Sequence, residues 1–402
     1  MTDIYSAIKV SDHVYWVGAI DWSIRDFHGY TTPHGSTYNA YLILADKITL
    51  IDTVKKPFLE EMLARIASVV DPSRIDYIVS NHSEQDHSGC LSQMVERVKP
   101  SKVFASSVGV KNLGDILHHD YDIQTVREGE TLSLGNMDLT FMETRMIHWP
   151  DSMFTYLAAD GLLFSQDAFG MHLATFERFA DELPVDMLEY EAATYYANIV
   201  LPYSPVVLKT LERVAAKGWG IKIIAPDHGP VWRKDLGFIL ERYRKWAAQK
   251  PANKAVVLYA TMWHSTERMA KAIAESLAQA GVRVKILSLN EVHRSEVIFE
   301  LLDAGALIVG SSTLNNHMLP QMADGMTYIQ GLKPANLIGA VFGSFGWSGE
   351  AVKDLEDALR EMKVDVVAET VSTKHVPGPD TLGKCHELGK RVASELARRI
   401  SL

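Results

Sequence analysis

Cysteine is almost missing from the chain: 402 residues contain two, Cys90 and Cys385, far apart and in no paired motif. That leaves no basis for a disulfide framework or for a cysteine-built zinc or iron–sulfur site. Long apolar runs are missing too. No stretch approaches the roughly 20 consecutive apolar residues of a membrane helix. The opening residues Met1-Thr2-Asp3-Ile4-Tyr5 do not begin a basic segment followed by an apolar one, so the expected compartment is the cytoplasm. There is no internal repeat and no low-complexity segment. A basic excess is also lacking: the net charge is −10, of which −9 falls in the first 250 residues. An acidic front half argues against nucleic acid and anionic membranes as partners. What remains is ordinary globular composition, 47% hydrophobic and 22% charged. At roughly 150 residues per domain, that length corresponds to two or three domains.

The break falls at residues 246–254, where a helical pattern ends, Pro251 interrupts, and the apolar run Ala255-Val256-Val257-Leu258-Tyr259 begins. The expected domains are 1–250 and 251–402. In the back half, apolar strands at 255–259, 282–287, 306–310 and 338–342 alternate with helices near 266–280, 294–303, 320–331, 349–362 and 381–400. Such alternation implies a doubly wound parallel sheet. The front half predicts a hairpin over 37–44 and 48–52 and strands at 75–80, 102–106, 138–143, 155–158, 161–165 and 221–225. Helices are expected near 57–69, 89–98, 108–117 and 203–216, giving mixed sheets with helices outside, a sandwich.

The strand ending Ile78-Val79-Ser80 runs into Asn81-His82-Ser83-Glu84-Gln85-Asp86-His87. Four potential metal ligands within six residues are too many for one ion that also takes distant ligands, so the density points to two metals. Imidazole mixed with carboxylate suits iron, manganese or zinc. His148, Asp167 and His228 each lie just past another strand, where loops gather functional groups on a rigid frame.

A second set of signals lies in the back half. Thr261-Met262-Trp263-His264-Ser265-Thr266 joins strand to helix, and hydroxyls with backbone N–H groups there make a phosphate cradle. The turn lacks Gly-x-Gly-x-x-Gly and a Walker lysine, so a dinucleotide or triphosphate is disfavoured. Thr313-Leu314-Asn315-Asn316 and Ser344-Phe345-Gly346-Trp347-Ser348-Gly349 follow two further strands, and the three loops together outline a cleft at a topological switch point.

His82-x-Glu84-x-Asp86-His87 with His148, Asp167 and His228 resembles the metallo-β-lactamase fold in its flavodiiron version, and the three back-half loops resemble flavodoxin. The likeness spans essentially the whole chain and is closest to the two-domain flavodiiron proteins of the rubredoxin:oxygen oxidoreductase type. It implies an N-terminal metallo-β-lactamase-like αββα sandwich followed by a flavodoxin-like doubly wound parallel sheet. Hydrolytic members of the superfamily carry histidine where this chain has Glu84; the harder donor accompanies iron. By resemblance His82, Glu84 and His148 bind one iron, Asp86, His87 and His228 the other, and Asp167 bridges them; whether His87 ligates directly or water replaces it stays open. Asp52 is a structural residue of the fold.

The same resemblance implies FMN, its phosphate in the 261–266 loop and its ring between the 313–316 and 344–349 loops. It implies O2 reduction to water, NO reduction to N2O, or both. No CxxC pair follows residue 350, so the electron donor is expected to be a separate rubredoxin-like protein. A head-to-tail homodimer, or a dimer of dimers, would bring each flavin to its partner's irons. His172 and Tyr196 are candidate proton donors beside the metals, or simply buried polar residues. Two alternatives remain: a zinc hydrolase with an accessory flavin domain, and an electron carrier whose front half is only structural.

Overall fold

A computed structural model describes residues 4–118 and 121–401. Contacts group the chain into two units. The first holds residues up to His28, Thr32–Tyr195 and Pro205–Arg244; the second holds Gly29–Thr31, Tyr196–Ser204 and Lys245 onward.

The first unit is built on two sheets. One has seven strands in the order Ile8–Lys9, Val14–Trp16, Tyr41–Ile43, Thr49–Ile51, Tyr77–Ser80, Lys102–Ser106 and Ile123–Val126. The other has five, from Thr131–Ser133 through Asp138–Glu143, Met153–Leu157 and Leu162–Gln166 to Ile223–Pro226. Alternation along each strand assigns its side chains to opposite faces. Tyr41, Ile43, Ile51, Val79 and Phe104 pack against Phe141, Leu157, Phe164 and Ala225 of the second sheet. Their neighbours Leu42, Leu50, Ile78 and Ala105 turn the other way, onto Met62 and Ile66 of the helix Leu59–Ala67 and Met94 of Leu91–Val98. Both faces of the first sheet are thus buried, which is why its strands read as unbroken apolar runs.

The expected long strand over 37–44 is two strands. Tyr41–Ile43 pairs with Thr49–Ile51 as the hairpin requires, but Ser36–Tyr38 pairs instead with Ala19–Asp21. The break comes at Asn39, whose side chain leaves the ladder to donate to the carbonyls of Pro226 at 2.7 Å and Gly229 at 2.9 Å.

The second unit is a parallel sheet in the order Arg283–Ser288, Lys254–Ala260, Ala306–Leu314, Ile338–Phe345, with Asp365–Val366 and Val371–Lys374 both pairing with the last. This 2-1-3-4-5 order is that of flavodoxin-like folds. The fifth position had no sequence signal because it is split into a two-residue and a four-residue strand. Helices Ser265–Gln279 and Pro379–Ile400 close one face through Ile273, Leu277, Leu388 and Val392. Both cysteines are free and buried.

Candidate functional site

Seven side chains from four loops converge at one end of the first unit. The strand Tyr77–Ser80 delivers His82 and Glu84, and one helical turn, Gln85–Ser88, then turns Asp86 and His87 inward. Asp52 holds this loop in place: its two carboxylate oxygens accept the Asn81 backbone N–H at 2.7 Å and the Asn81 side-chain amide at 2.9 Å. His148 and Asp167 arrive on loops that Gln166 ties together. Its amide donates to the Ile147 carbonyl, and its side-chain oxygen accepts the Asp167 N–H at 2.7 Å. His228 sits on the loop clamped by Asn39, and its Nδ1 meets the Thr37 carbonyl at 2.6 Å.

The seven divide into two sets. Glu84 Oε2 lies 3.2 Å from His82 Nε2 and 3.3 Å from His148 Nε2. Asp86 lies 3.4 Å from His87 Nε2 and 3.2 Å from His228 Nε2. Asp167 stands between them: Oδ2 faces His148 at 3.0 Å and His82 at 3.4 Å, while Oδ1 faces His87 at 3.1 Å and His228 at 3.4 Å. Within each set the ligand atoms lie within 4.8 Å of one another. All seven residues are almost wholly buried except His148, which is partly so.

Electrostatics states the same demand. Burial works against charge on His87, but Asp86, Asp167 and Asp227 around it push its pKa up to about 10. Burial alone would raise Asp167; the imidazoles of His87, His148 and His82 instead hold it well below the usual carboxylate range. Asp227, buried and beside Asp52, is pushed well above that range. The cluster therefore calls for positive charge, from protons or from metal ions. Both Asp86 oxygens, both His87 nitrogens and Asp167 Oδ1 are buried without a hydrogen-bond partner. Buried polar atoms are rarely left so, and mixed imidazole and carboxylate donors fit two cations of the iron, manganese or zinc class.

Three neighbours had been given no role from the sequence. His28 Nε2 lies 2.6 Å from Glu84 Oε1, and interaction with Glu84 raises its pKa despite burial. Its distance along the chain from Glu84 leaves no spacing signal. Phe27 packs against His28 and His172, ring centres 4.3 Å apart in both cases. Asp151 sits 3.5 Å from His82 Nδ1 while accepting the Ser83 N–H at 2.6 Å. Of the two anticipated proton donors, His172 is beside the cluster, its Nδ1 2.7 Å from Ser36 Oγ, and burial with nearby His228 drives its pKa well down. Tyr196 groups with the second unit, and its hydroxyl pairs with Ser204 at 3.1 Å. Tyr195, one residue earlier, packs its ring on His172 with centres 5.1 Å apart.

In the second unit a cavity of about 830 Å³ opens at the carboxyl ends of three strands. That is the size range of cofactor sites. Met262, Trp263 and Ser265 line it from the first loop, Thr313, Leu314, Asn315 and Asn316 from the second, and Ser344, Phe345, Gly346, Trp347 and Ser348 from the third. Thr261, His264, Thr266 and Gly349 are not on its wall. Thr266 lies beneath, its hydroxyl 3.0 Å from Ser312 Oγ and 2.9 Å from Ser344 Oγ, bracing the three loops. Thr261 N–H donates to Asn290 Oδ1 at 3.0 Å, and His264 faces Glu267 at 2.6 Å. Gly349 is the N-cap of the helix Glu350–Glu361. His375 and Val376, past the strand that had no signal, complete the wall. A cleft with hydroxyls at one end, a helix N-terminus at Ser265 and exposed indoles at Trp263 and Trp347 fits a flat ring carrying a phosphate.

Comparisons with known proteins agree with both halves. Residues 37–229 match the family described as ODP family beta lactamase, and residues 257–389 match flavodoxin. The chain is 46% identical to a rubredoxin-oxygen oxidoreductase from Megalodesulfovibrio gigas, over 98% of this chain and 99% of that one. It is 43% identical to a nitric oxide reductase from Moorella thermoacetica, over 97% and 99%. The crystal structure of the flavodiiron protein from Giardia intestinalis superimposes with a TM-score of 0.95 at 33% identity, covering 99% of this chain and 98% of that one.

Proposed function

The chain belongs to the flavodiiron protein family, and from that membership we propose that it reduces O2 to water, NO to N2O, or both, at a non-haem diiron centre supplied with electrons through FMN. The observation that carries this reading is Asp167, whose two oxygens each face a separate group of ligand atoms. His82, Glu84 and His148 would hold one iron, Asp86, His87 and His228 the other, and Asp167 would span both. When bound, reduced FMN and two ferrous ions supply four electrons, enough with four protons to take O2 to two waters, while two electrons and two protons take two NO to N2O and water.

The residues around the ligands bind, orient and exclude water. Gln166, Asn39 and Asp52 hold the ligand loops in register. Phe27 and Trp149, whose ring lies 5.2 Å from that of His82, wall the site with aromatic surface. His28 steadies the second oxygen of Glu84.

The domain division is placed near residue 250, with the metal site in the first domain and FMN in the second. A rubredoxin-like protein is the proposed donor, supported by the name of the Megalodesulfovibrio relative. A head-to-tail homodimer is proposed because Trp263 and Trp347, 85% and 89% exposed at the cleft, offer apolar surface for a second copy to cover. Among the described residues no helix is long and apolar enough to cross a membrane, and the cytoplasm is the proposed compartment. The hydrolase and carrier readings are not favoured, since the relatives matched over nearly the full chain are reductases.

The test is one preparation assayed for iron, zinc and FMN per chain, then for O2 uptake and anaerobic NO loss with reduced rubredoxin. About two irons and one FMN with turnover of either gas are expected. Two zincs without iron, or turnover that survives complete chelation, would reject the reading.

A further inference from the structure

Three of the imidazoles have different oxygen atoms behind their outer nitrogens. His228 Nδ1 rests on the Thr37 carbonyl at 2.6 Å, and His82 Nδ1 lies 3.5 Å from Asp151 Oδ1. His87 Nδ1 faces Asp227 Oδ2 at 3.6 Å. Asp227 is 0% exposed, and neither of its carboxylate oxygens has a hydrogen-bond partner. Its backbone is held on both sides: its N–H donates to the Gln166 carbonyl at 2.9 Å, and its carbonyl accepts the Asn39 N–H at 2.7 Å. The backbone that carries the carboxyl is therefore fixed beside His87. The other buried acid nearby, Asp52, spends both oxygens on Asn81. An acceptor oxygen faces His87 whether or not Asp227 carries a proton.

We infer that Asp227 is the positioning residue for His87: it accepts the Nδ1 proton and so keeps Nε2 directed at Asp86 and Asp167, where the second metal would bind. A carboxylate behind a metal-facing imidazole sets both its tautomer and its ring orientation. Sequence reasoning left open whether His87 ligates iron; Asp227 is the residue that decides it. The inference rests on the proposed two-metal reading and deepens it. A rival role exists, because Asp227 also lies with His87 and Asp167 in a group whose ligand atoms are within 4.8 Å of one another. In that role Asp227 would touch the metal itself.

The experiment compares wild type, Asp227→Leu, Asp227→Asn, His87→Ala and the Asp227→Leu/His87→Ala double variant. Iron and FMN per chain are measured after dialysis against a mild chelator, with Mössbauer spectra of the diferric proteins. Expected is a fall from about two irons to about one in Asp227→Leu, with FMN retained and one of the two iron doublets altered, as in His87→Ala. Asp227→Asn, which keeps an acceptor oxygen, recovers most of the second iron. The double variant loses no more than either single one. Two irons with unaltered doublets in Asp227→Leu would overturn the inference. So would further iron loss in the double variant, which would make Asp227 a ligand or a general support of the fold. Wild type without metal would remove the underlying reading, and this inference with it.

Discussion

Glu84 sets the chemical character of the first ligand group. Its carboxylate meets His28, His82 and His148 and replaces an imidazole with an oxygen donor. Oxygen donors shift preference away from zinc toward harder ions. In Glu84→His, metal analysis is expected to show iron down at least about five-fold with zinc in its place, following the softer donor set. O2 and NO consumption should fall with the iron. His28→Phe tests a smaller effect. It removes one hydrogen bond to a charged group, a contact of roughly 1.5–3 kcal/mol, and is expected to lower iron retention against chelator without loss of FMN. The two thiols should be inert. Burial pushes Cys385 up to about 11 and raises Cys90 as well. At pH 8 a thiol of that pKa is roughly one part in a thousand thiolate, the reactive form. Thiol titration of the native protein is expected to find neither cysteine, and titration in denaturant to find both.

At the scale of elements, the loops are set by a few buried polar residues, and Asn39 is the clearest. It accepts from Trp16 Nε1 at 2.8 Å and donates twice into the loop that carries Asp227 and His228. Asn39→Ala leaves these buried groups unpaired, at a cost of roughly 2–4 kcal/mol. Calorimetry should show a lowered melting transition for the metal-binding unit, and metal analysis a weakened second iron. The strands were legible because both faces of the central sheets are buried, so apolar runs stand out. The split at Asn39 was not, since nothing local says that its side chain will bond to residues nearly 190 positions later. Nor was the strand Val371–Lys374, too short to show a period and preceded by a break.

For the whole molecule, the two units carry separate cores and separate sites. A ligand that binds only the folded state stabilises the unit it binds. Removing iron with a chelator is expected to lower the transition of the metal-binding unit while flavin absorbance and the other transition remain. Calorimetry with and without chelator checks it, and a single transition moving as one would contradict it. The chain by itself determined the two-part organisation, the αββα and flavodoxin-like architectures, and the seven residues that converge in one cluster. It could do so because four of those residues lie in one loop and the others each follow a recognisable strand. Only the tertiary structure decided which oxygen of Asp167 faces which set. It also put His28 on Glu84, Asp227 behind His87, and Tyr195 beside His172. Those contacts depend on side-chain direction between loops far apart in sequence, and residue spacing carries no record of that.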